Sequence, residues 1–434
     1  MADVPMPILP AADWIARESI PLSLDGPGEV TDAAIDALVA AVGPSVDLLG
    51  LGEALHGGEE ILLLRNRLFQ RLVTHHGYSA IAVESGSTRS PLVNDYVAGR
   101  GADSYDAVAE AGFSHGFGKL DANRELVEWM RAYNADPATR VKVSFYGFDS
   151  PTEMMYADSP RGLLESLVLY LRIPDDDATS DRWTRIDRLL GPDADWEDPA
   201  VAFDPSKGIG LSASAQALRL EAENLETELR VRRPELTRTP GDADLYADAC
   251  HAAKTARWLL TYHAGMAGTS PTRVADLLGL RDLMMADTLA YAVGRERGRG
   301  KVLAFAHNKH LQRSRASWQW GPTLLQWWPA GAHVAAMMGD RFAVIGSAVG
   351  TSEQNGIRPP EPGTLEATLT ATGGPIRFVQ SRRVRPYTNG TPPTRAGGKN
   401  PTYFPLTPQS LDDFDWLVAF DRITYNRGGP AIPQ

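Results

Sequence analysis

Short apolar runs separated by helix-like sequence, most of them ending on an ionisable residue, constrain this chain more than any other feature. The runs are VDLLGLG (46–52), SAIAVES (79–85), VKVSFYGFD (141–149), KVLAFAH (301–307), HVAAMMG (333–339), FAVIGSAV (342–349), IRFVQS (376–381) and WLVAFD (416–421). Near-continuous apolarity of this kind marks a strand buried on both faces. Strands alternating with helices predict an α/β fold with a mostly parallel central sheet flanked by helices. The spacing predicts helices over 59–74 and 121–134, with Asp121 placed to cap the second.

The middle of the chain reads differently. From about 160 to 298 no strand pattern occurs, and 212–233, 242–265 and 271–298 are helix-like, with Pro271 in a tolerated first-turn position. A chain of 434 residues exceeds the roughly 250–300 at which one core stops growing. The expected organisation is an α/β core made of 1–158 and 299–434, with a helical insertion lobe over 159–298. A Pro/Gly-rich stretch, 356–409, has little regular pattern, and such loops are usually functional lids or disordered.

Composition excludes several classes. A net charge of −11 argues against a nucleic-acid binder, which needs a basic stripe, and weakly against anionic membranes. The single cysteine, Cys250, rules out a disulfide framework and a Cys-based metal site. No window approaches the ~20 apolar residues of a bilayer span. The first segment lacks a basic region followed by an apolar core, so it does not read as a secretory signal. A cytoplasmic protein with a small-molecule substrate and no cofactor is the expectation. The sequence carries no marker of oligomeric state.

Buried strands end on Glu53, Glu84, Asp149, His307 and Asp421. In open parallel sheets ligands bind outside the carboxyl ends of strands. Here that rim would be lined by carboxylates and imidazoles, not by glycines and backbone amides. Glu53 and His56 lie three residues apart in a strand-to-helix turn. On the helix that follows, Ile61, Leu64, Leu68 and Leu72 share a face. Arg65 falls inside that stripe, whereas Asn66, Arg67, Gln70 and Arg71 fall outside it. A guanidinium aimed at a core is costly unless carboxylates meet it, and Glu53 and Glu84 are the expected partners. In AHNKHLQ (306–312), His307 and His310 can share one side of a starting helix. Together with Glu53, His56 and Glu84 they suit either a divalent metal or metal-free acid/base chemistry. His115, in a glycine-rich loop, and Asp149 are candidate substrate contacts. Trp318, Trp320, Trp327 and Trp328 read as core, or as the wall of an apolar site.

Other motifs fail. Gly50-Leu51-Gly52 lacks the third glycine of a dinucleotide loop, and Glu53 would repel phosphate. No serine elbow, H-E-x-x-H or Walker A occurs.

GLGEALHG, Arg65 nine residues after His56, AIAVE ending on Glu84, FYGFD, AHNKH and the terminal FDWLVAFDR resemble, in that order, the erythromycin esterase family. The resemblance spans about residues 46–422. It implies an α/β core with a helical lobe and a cleft between them, and functional roles for Glu53, His56, Arg65, Glu84, His307 and His310. It also implies hydrolysis without a serine nucleophile, since the best-known members open the macrolactone ester of 14-membered macrolide antibiotics, a resistance activity. Two positions depart from the family's pattern: Leu55 stands where a small hydroxyl residue is usual, and Asp287 lies where an asparagine is common nearby. The expected mechanism makes His56 the base, oriented by Glu84 or Glu53. Arg65 keeps the glutamates ionised, and His307 and His310 stabilise the oxyanion. The alternatives are a natural-product biosynthetic enzyme using the same site for ring opening, elimination or cyclisation, and a metal-dependent hydrolase.

Overall fold

The computed structural model describes residues 11–153, 156–172, 177–371, 374–385 and 391–430. Its centre is an eight-stranded sheet. In chain order the strands are β1 (Ile20–Leu22), β2 (Leu48–Glu53), β3 (Tyr78–Gly86), β4 (Ser144–Asp149), β5 (Lys301–His307), β6 (Phe342–Thr351), β7 (Ile376–Gln380) and β8 (Trp416–Arg422). Across the sheet the order is β1-β7-β8-β6-β2-β5-β3-β4. From β8 to β4 every neighbouring pair is parallel, and β7 is antiparallel to both β8 and β1. The expected mostly parallel α/β architecture is borne out.

Strand chemistry explains the layering. In β5, Leu303 and Phe305 face one core, while the smaller Val302, Ala304 and Ala306 face the other. The first core is filled by α1 (Gly28–Val42), α2 (Glu59–His75) and α3 (Asp121–Ala135), through side chains such as Ile35, Leu68 and Leu126. α2 starts after Gly58 with Glu59 and Glu60 in its first turn and ends with His75 in its last, which suits the helix dipole. Asp121 does not cap α3: Leu120 holds the cap position, and no side-chain cap bond forms.

The long helices of the middle region are α4 (Arg161–Tyr170), α5 (Asp177–Leu190), α6 (Ala213–Leu236), α7 (Asp242–Met266) and α8 (Arg273–Glu296). α4, α6 and α7 share a separate apolar cluster that includes Leu164, Leu218, Leu225 and Leu260. α8 instead gives Met285, Ala286 and Leu289 to the second core of the sheet. That helix therefore links the middle region to the strands. No helix among the described residues is long and apolar enough to cross a membrane.

Two further expectations fail, the second in part. The run 333–339 is not a strand: it lies in and just past α9 (Ala330–Met338), with Ala330, Val334 and Met338 buried at a spacing of four. Pro329 precedes the helix and Gly339, at φ +54°, ends it. The tryptophans lie on or beside a two-stranded hairpin, Ala316–Trp320 with Thr323–Trp327. Trp327 is buried in a small apolar cluster with Ala316 and Leu325, against which Trp318 packs, while Trp320 and Trp328 are about half exposed, so only part of the group is core. The 356–409 stretch contains β7 and short helices, with 372–373 and 386–390 outside the described residues.

Candidate active site

β2 and β5 end side by side, with Glu53 and His307 paired in register. Beyond Leu51 and Ile345, β2 and β6 no longer pair. Asn308 fills that opening: its amide bonds the Ser347 carbonyl at 2.9 Å and accepts the Ser347 N–H at 3.1 Å. Gly52 is required there, because a Cβ would sit 2.3 Å from Asn308 Oδ1. β3 shifts register against β4 between Val83 and Gly86, an irregularity of the kind that re-aims side chains beside sites. Glu84 lies in that shift.

Around this rim the expected residues come together. His56 Nδ1 donates to Glu53 Oε1 at 2.6 Å. Its Nε2 stands 3.8 Å from Glu84 Oε1, too far for a hydrogen bond. Glu84 Oε2 accepts the backbone N–H of His307 at 2.7 Å, and Oε1 lies 3.2 Å from His310 Nε2. A cavity of about 20 Å³, room for one water molecule, is lined by Glu53, His56, Arg65, Glu84, Phe117 and Phe305.

Arg65 is 1% exposed, so it points inward as its place in the apolar stripe implies. Its hydrogen bonds, however, go to Asn66 Oδ1 at 2.7 and 3.1 Å and to the Ala122 carbonyl at 3.4 Å, not to the glutamates. Asn66 is buried with it, a correction to its expected outward placement. The guanidinium also lies 4.9 Å above the Phe305 ring. Burial pulls its pKa down to about 10, against the opposing charge of Glu53.

His307 is not available as an oxyanion donor. Nδ1 accepts the Lys309 N–H at 3.0 Å, and Nε2 serves the carbonyls of Thr402 at 3.0 Å and Ala54 at 3.2 Å. Burial, helped by the charge of His56, lowers its pKa to about 3, so the ring is neutral. His310 is the opposite case. Its Nδ1 donates to Asp282 Oδ1 at 2.7 Å while Nε2 meets Glu84. Burial works against its charge, but Asp282 and Glu84 outweigh that and lift its pKa to about 10. Both nitrogens are thus engaged by carboxylates.

Asp149 is fully buried, and both of its carboxylate oxygens are engaged by protein side chains. Arg281 grips it in bidentate fashion at 2.7 and 2.8 Å, and His115 Nε2 lies 2.9 Å from Oδ2. Burial opposes its ionisation, yet Arg281 and His115 hold its pKa down to about 2. His115 adopts φ +55° and remains partly exposed at the rim. Asp421 lies outside the site, since β6 separates β8 from β2 and its carboxylate faces Arg377 at 3.5 Å. Leu55 is wholly buried, and Asp287 pairs with Lys254 at 2.6 Å.

Sequence reasoning missed Arg281 and Asp282, adjacent on α8. Arg281 Nη2 also approaches Glu84 at 3.4 Å. Asp282, besides His310, accepts Trp327 Nε1–H at 2.5 Å and the Ala330 N–H at 3.0 Å. Their only signal was two charged residues inside a long amphipathic helix, which is ordinary on a solvated face.

Burial lowers the pKa of His56, but the charges of Glu53 and Glu84 outweigh it and the net shift is upward. Glu53 is raised by burial, against the pull of His56 and Arg65. Glu84 is held well below the usual carboxylate range: burial opposes ionisation, and His310, His56 and Arg281 overcome it. Among the described residues no group of three or more His, Cys, Asp and Glu side chains is disposed to hold a metal ion.

Comparison with known proteins bears on the family and the fold. The erythromycin esterase family model matches residues 73–423, a span that starts after the Glu53–Arg65 segment. Erythromycin esterase type II of Escherichia coli is 22% identical over 404 residues, covering 86% of this chain and 89% of that one. Type I of Escherichia coli is 24% identical over 305 residues, 66% of each chain. A solved Bacillus cereus protein superposes with a TM-score of 0.72 at 18% identity over 98% of both chains. A point mutant of the erythromycin esterase EreC, in its open conformation, gives 0.64 at 17% identity over 93% of this chain and 96% of that one. With the family model matched over most of its length, this chain belongs to the erythromycin esterase family.

Proposed function

We propose that this protein hydrolyses an ester or lactone of a medium-sized, largely neutral natural product by activating water at His56, with no serine nucleophile. The observation that carries the reading is the 2.6 Å bond from His56 Nδ1 to Glu53. It fixes the tautomer, because a carboxylate only accepts, and leaves the Nε2 lone pair free beside Glu84. A cavity with room for one water adjoins that ring.

In the proposed reaction, water adds to the carbonyl carbon while His56 Nε2 takes its proton. The resulting imidazolium is stabilised by Glu53. The tetrahedral oxyanion forms beside the positive Arg281 and His310, whose charges are held in place by Asp149, Asp282 and Glu84. Collapse breaks the C–O bond, and His56 returns its proton to the leaving alkoxide. The products are a carboxylic acid and an alcohol. Arg65 acts through the charge state of Glu53. In this reading, 1–158 and 299–434 form the catalytic α/β unit, and 159–298 form a helical lobe whose last helix delivers Arg281 and Asp282.

The test is a turnover screen of erythromycin and other lactones in oxygen-18 water, with wild type and His56→Ala. A product heavier by one water, carrying solvent oxygen and lost in His56→Ala, supports the reading. A His56-dependent product without solvent oxygen would assign the site to elimination or cyclisation in natural-product biosynthesis. Full turnover by His56→Ala would remove the base assignment.

A further inference from the structure

The turn from Ala54 to Gly57 leaves β2 with no neighbouring strand, so its backbone polar groups need partners from elsewhere. They find them far along the chain. Thr402 Oγ1 accepts the N–H of His56 at 2.9 Å, across 346 residues of sequence. The His56 carbonyl takes Asn400 Nδ2–H at 2.8 Å, with Thr402 Oγ1 at 3.3 Å. Asn355 Nδ2 donates to the Gly57 carbonyl at 3.0 Å, and its Oδ1 accepts from Asn400 Nδ2 at 2.8 Å. The Ala54 carbonyl accepts the Phe404 N–H at 3.1 Å. Asn400 Oδ1 in turn accepts the Thr402 N–H at 2.9 Å and lies 2.8 Å from its hydroxyl. Gly57, at φ +133°, is pressed so closely into this frame that a Cβ would sit 2.8 Å from the Tyr425 ring and 3.0 Å from Asn400 Nδ2.

We propose that Thr402, with Asn400 and Asn355, is a positioning clamp that holds the His56 turn in the geometry the reaction needs. The proposal rests on His56 being the base. None of the three contributes to orienting the imidazole through the ring itself; Thr402 holds the His56 N–H and carbonyl, Asn400 holds the same carbonyl, and Asn355 holds that of Gly57. The clamp is nearly dry, with Asn355 and Asn400 buried, so an unmatched group in it is expensive. It also connects to the rest of the site, because the Thr402 carbonyl accepts from His307 Nε2 at 3.0 Å. A turn free to rotate would lengthen the contact between Glu53 and His56, which are only three residues apart.

Thr402→Val keeps the shape and removes the acceptor for the His56 N–H. With erythromycin as probe, kcat should fall by on the order of 10- to 100-fold, while KM stays within about threefold, as expected for misplacement without lost binding. Thr402→Ser should restore kcat to within about threefold of wild type. A second readout needs no substrate: the titration of the His56 imidazole, followed by NMR in histidine-labelled protein. The groups facing that ring are Glu53, Glu84, His307, His310 and Arg65, with the Phe117 ring tilted against it at 5.3 Å. Loosening the Glu53 contact should move the titration in Thr402→Val down toward the ordinary histidine value near ~6.5. If Thr402→Val does not fold, Thr402→Ala is the milder variant for both measurements. Wild-type kcat with an unmoved His56 titration in the folded variant would overturn the clamp. So would a loss of kcat that only tracks a smaller folded fraction. His56→Ala separates the two levels: if it is active, the base assignment fails, whereas an inactive His56→Ala beside a wild-type-like Thr402→Val overturns the clamp alone.

Discussion

Glu84 holds the backbone N–H of His307 on one carboxylate oxygen at 2.7 Å and meets the imidazole of His310 on the other at 3.2 Å. A single side chain from β3 therefore fixes both the end of β5 and the short turn after it. Through His310 the contact continues to Asp282 on α8, and through Arg281 it reaches Asp149 at the end of β4. Three strand ends and one helix of the middle region are held by one chain of charged hydrogen bonds. Such a network is costly to break in part, since removing one buried partner leaves the other uncompensated.

The first consequence concerns pH and rate. A general base works deprotonated, and the pKa of His56 lies above its ordinary value because Glu53 and Glu84 outweigh burial. Activity should therefore rise with pH through a single acid limb centred above ~6.5. Glu53→Gln removes one of the two carboxylates, so that limb should move to lower pH while kcat drops. A kcat/KM profile against pH for both proteins checks this, and a limb that stays put in Glu53→Gln contradicts the assignment.

The second concerns stability at alkaline pH. The pKa of His310 rises from 6.5 to about 10 on folding. A raised folded pKa contributes stability that is fully present below the unfolded value, and that contribution disappears as pH climbs through the folded one. Urea midpoints should fall between pH 6.5 and about 10, by the equivalent of a few kcal/mol. Asp282→Asn removes the partner that raises this pKa most after burial is overcome, so it should be less stable at neutral pH and show a flatter decline. Parallel slopes in the two proteins would refute the link.

The strands and the four converging rim positions were legible because buried β-strands and core helices leave periodic apolar signatures. Glu53, Glu84 and His307 end such runs, and Arg65 interrupts an apolar stripe. Those breaks in pattern are visible in one dimension. The partners of these residues were not. Arg65 meets Asn66, its own neighbour, where the glutamates were expected, because a short side chain one residue away reaches it first. Arg281 and Asp282 sit on a helix whose pattern is unremarkable, and only its packing against β4 and β5 brings them to the rim. The clamp residues Asn355, Asn400 and Thr402 belong to irregular chain, where hydrogen bonding replaces periodicity. The run at 333–339 misled because six successive apolar or small residues fit a buried strand as well as a helix, and only the spacing of Ala330, Val334 and Met338 distinguishes them.

The third prediction separates charge from packing at Arg65. The side chain has no carboxylate within bonding distance among its contacts, yet its charge opposes the upward shift of Glu53. Arg65→Met keeps much of the volume against Phe305 and deletes the charge. The variant should stay folded, with a change in unfolding free energy of under about 2 kcal/mol, because an apolar replacement of a buried cation is often tolerated. Its kcat should nevertheless fall by about 10-fold or more, since a more protonated Glu53 supports His56 less well. A Tm scan beside steady-state kinetics makes the comparison, and a variant as active as wild type would show that the charge is idle.

The last prediction tests whether a metal takes part. Binding one at this rim would need imidazole lone pairs, and neither histidine after β5 has one to offer. The Nδ1 of His307 already accepts the Lys309 N–H, and its Nε2 carries the hydrogen given to the Thr402 and Ala54 carbonyls. His310 is held as a cation between Asp282 and Glu84, and a protonated imidazole cannot ligate. Freeing both rings would break at least four buried hydrogen bonds before any ligand bond formed. Turnover should therefore be unchanged after prolonged dialysis against a strong chelator, and added zinc or manganese should not raise it. Loss of activity on chelation, restored by one divalent ion at stoichiometric level, would require His307 and His310 to rearrange and would replace the water-activation mechanism with a metal-bound one.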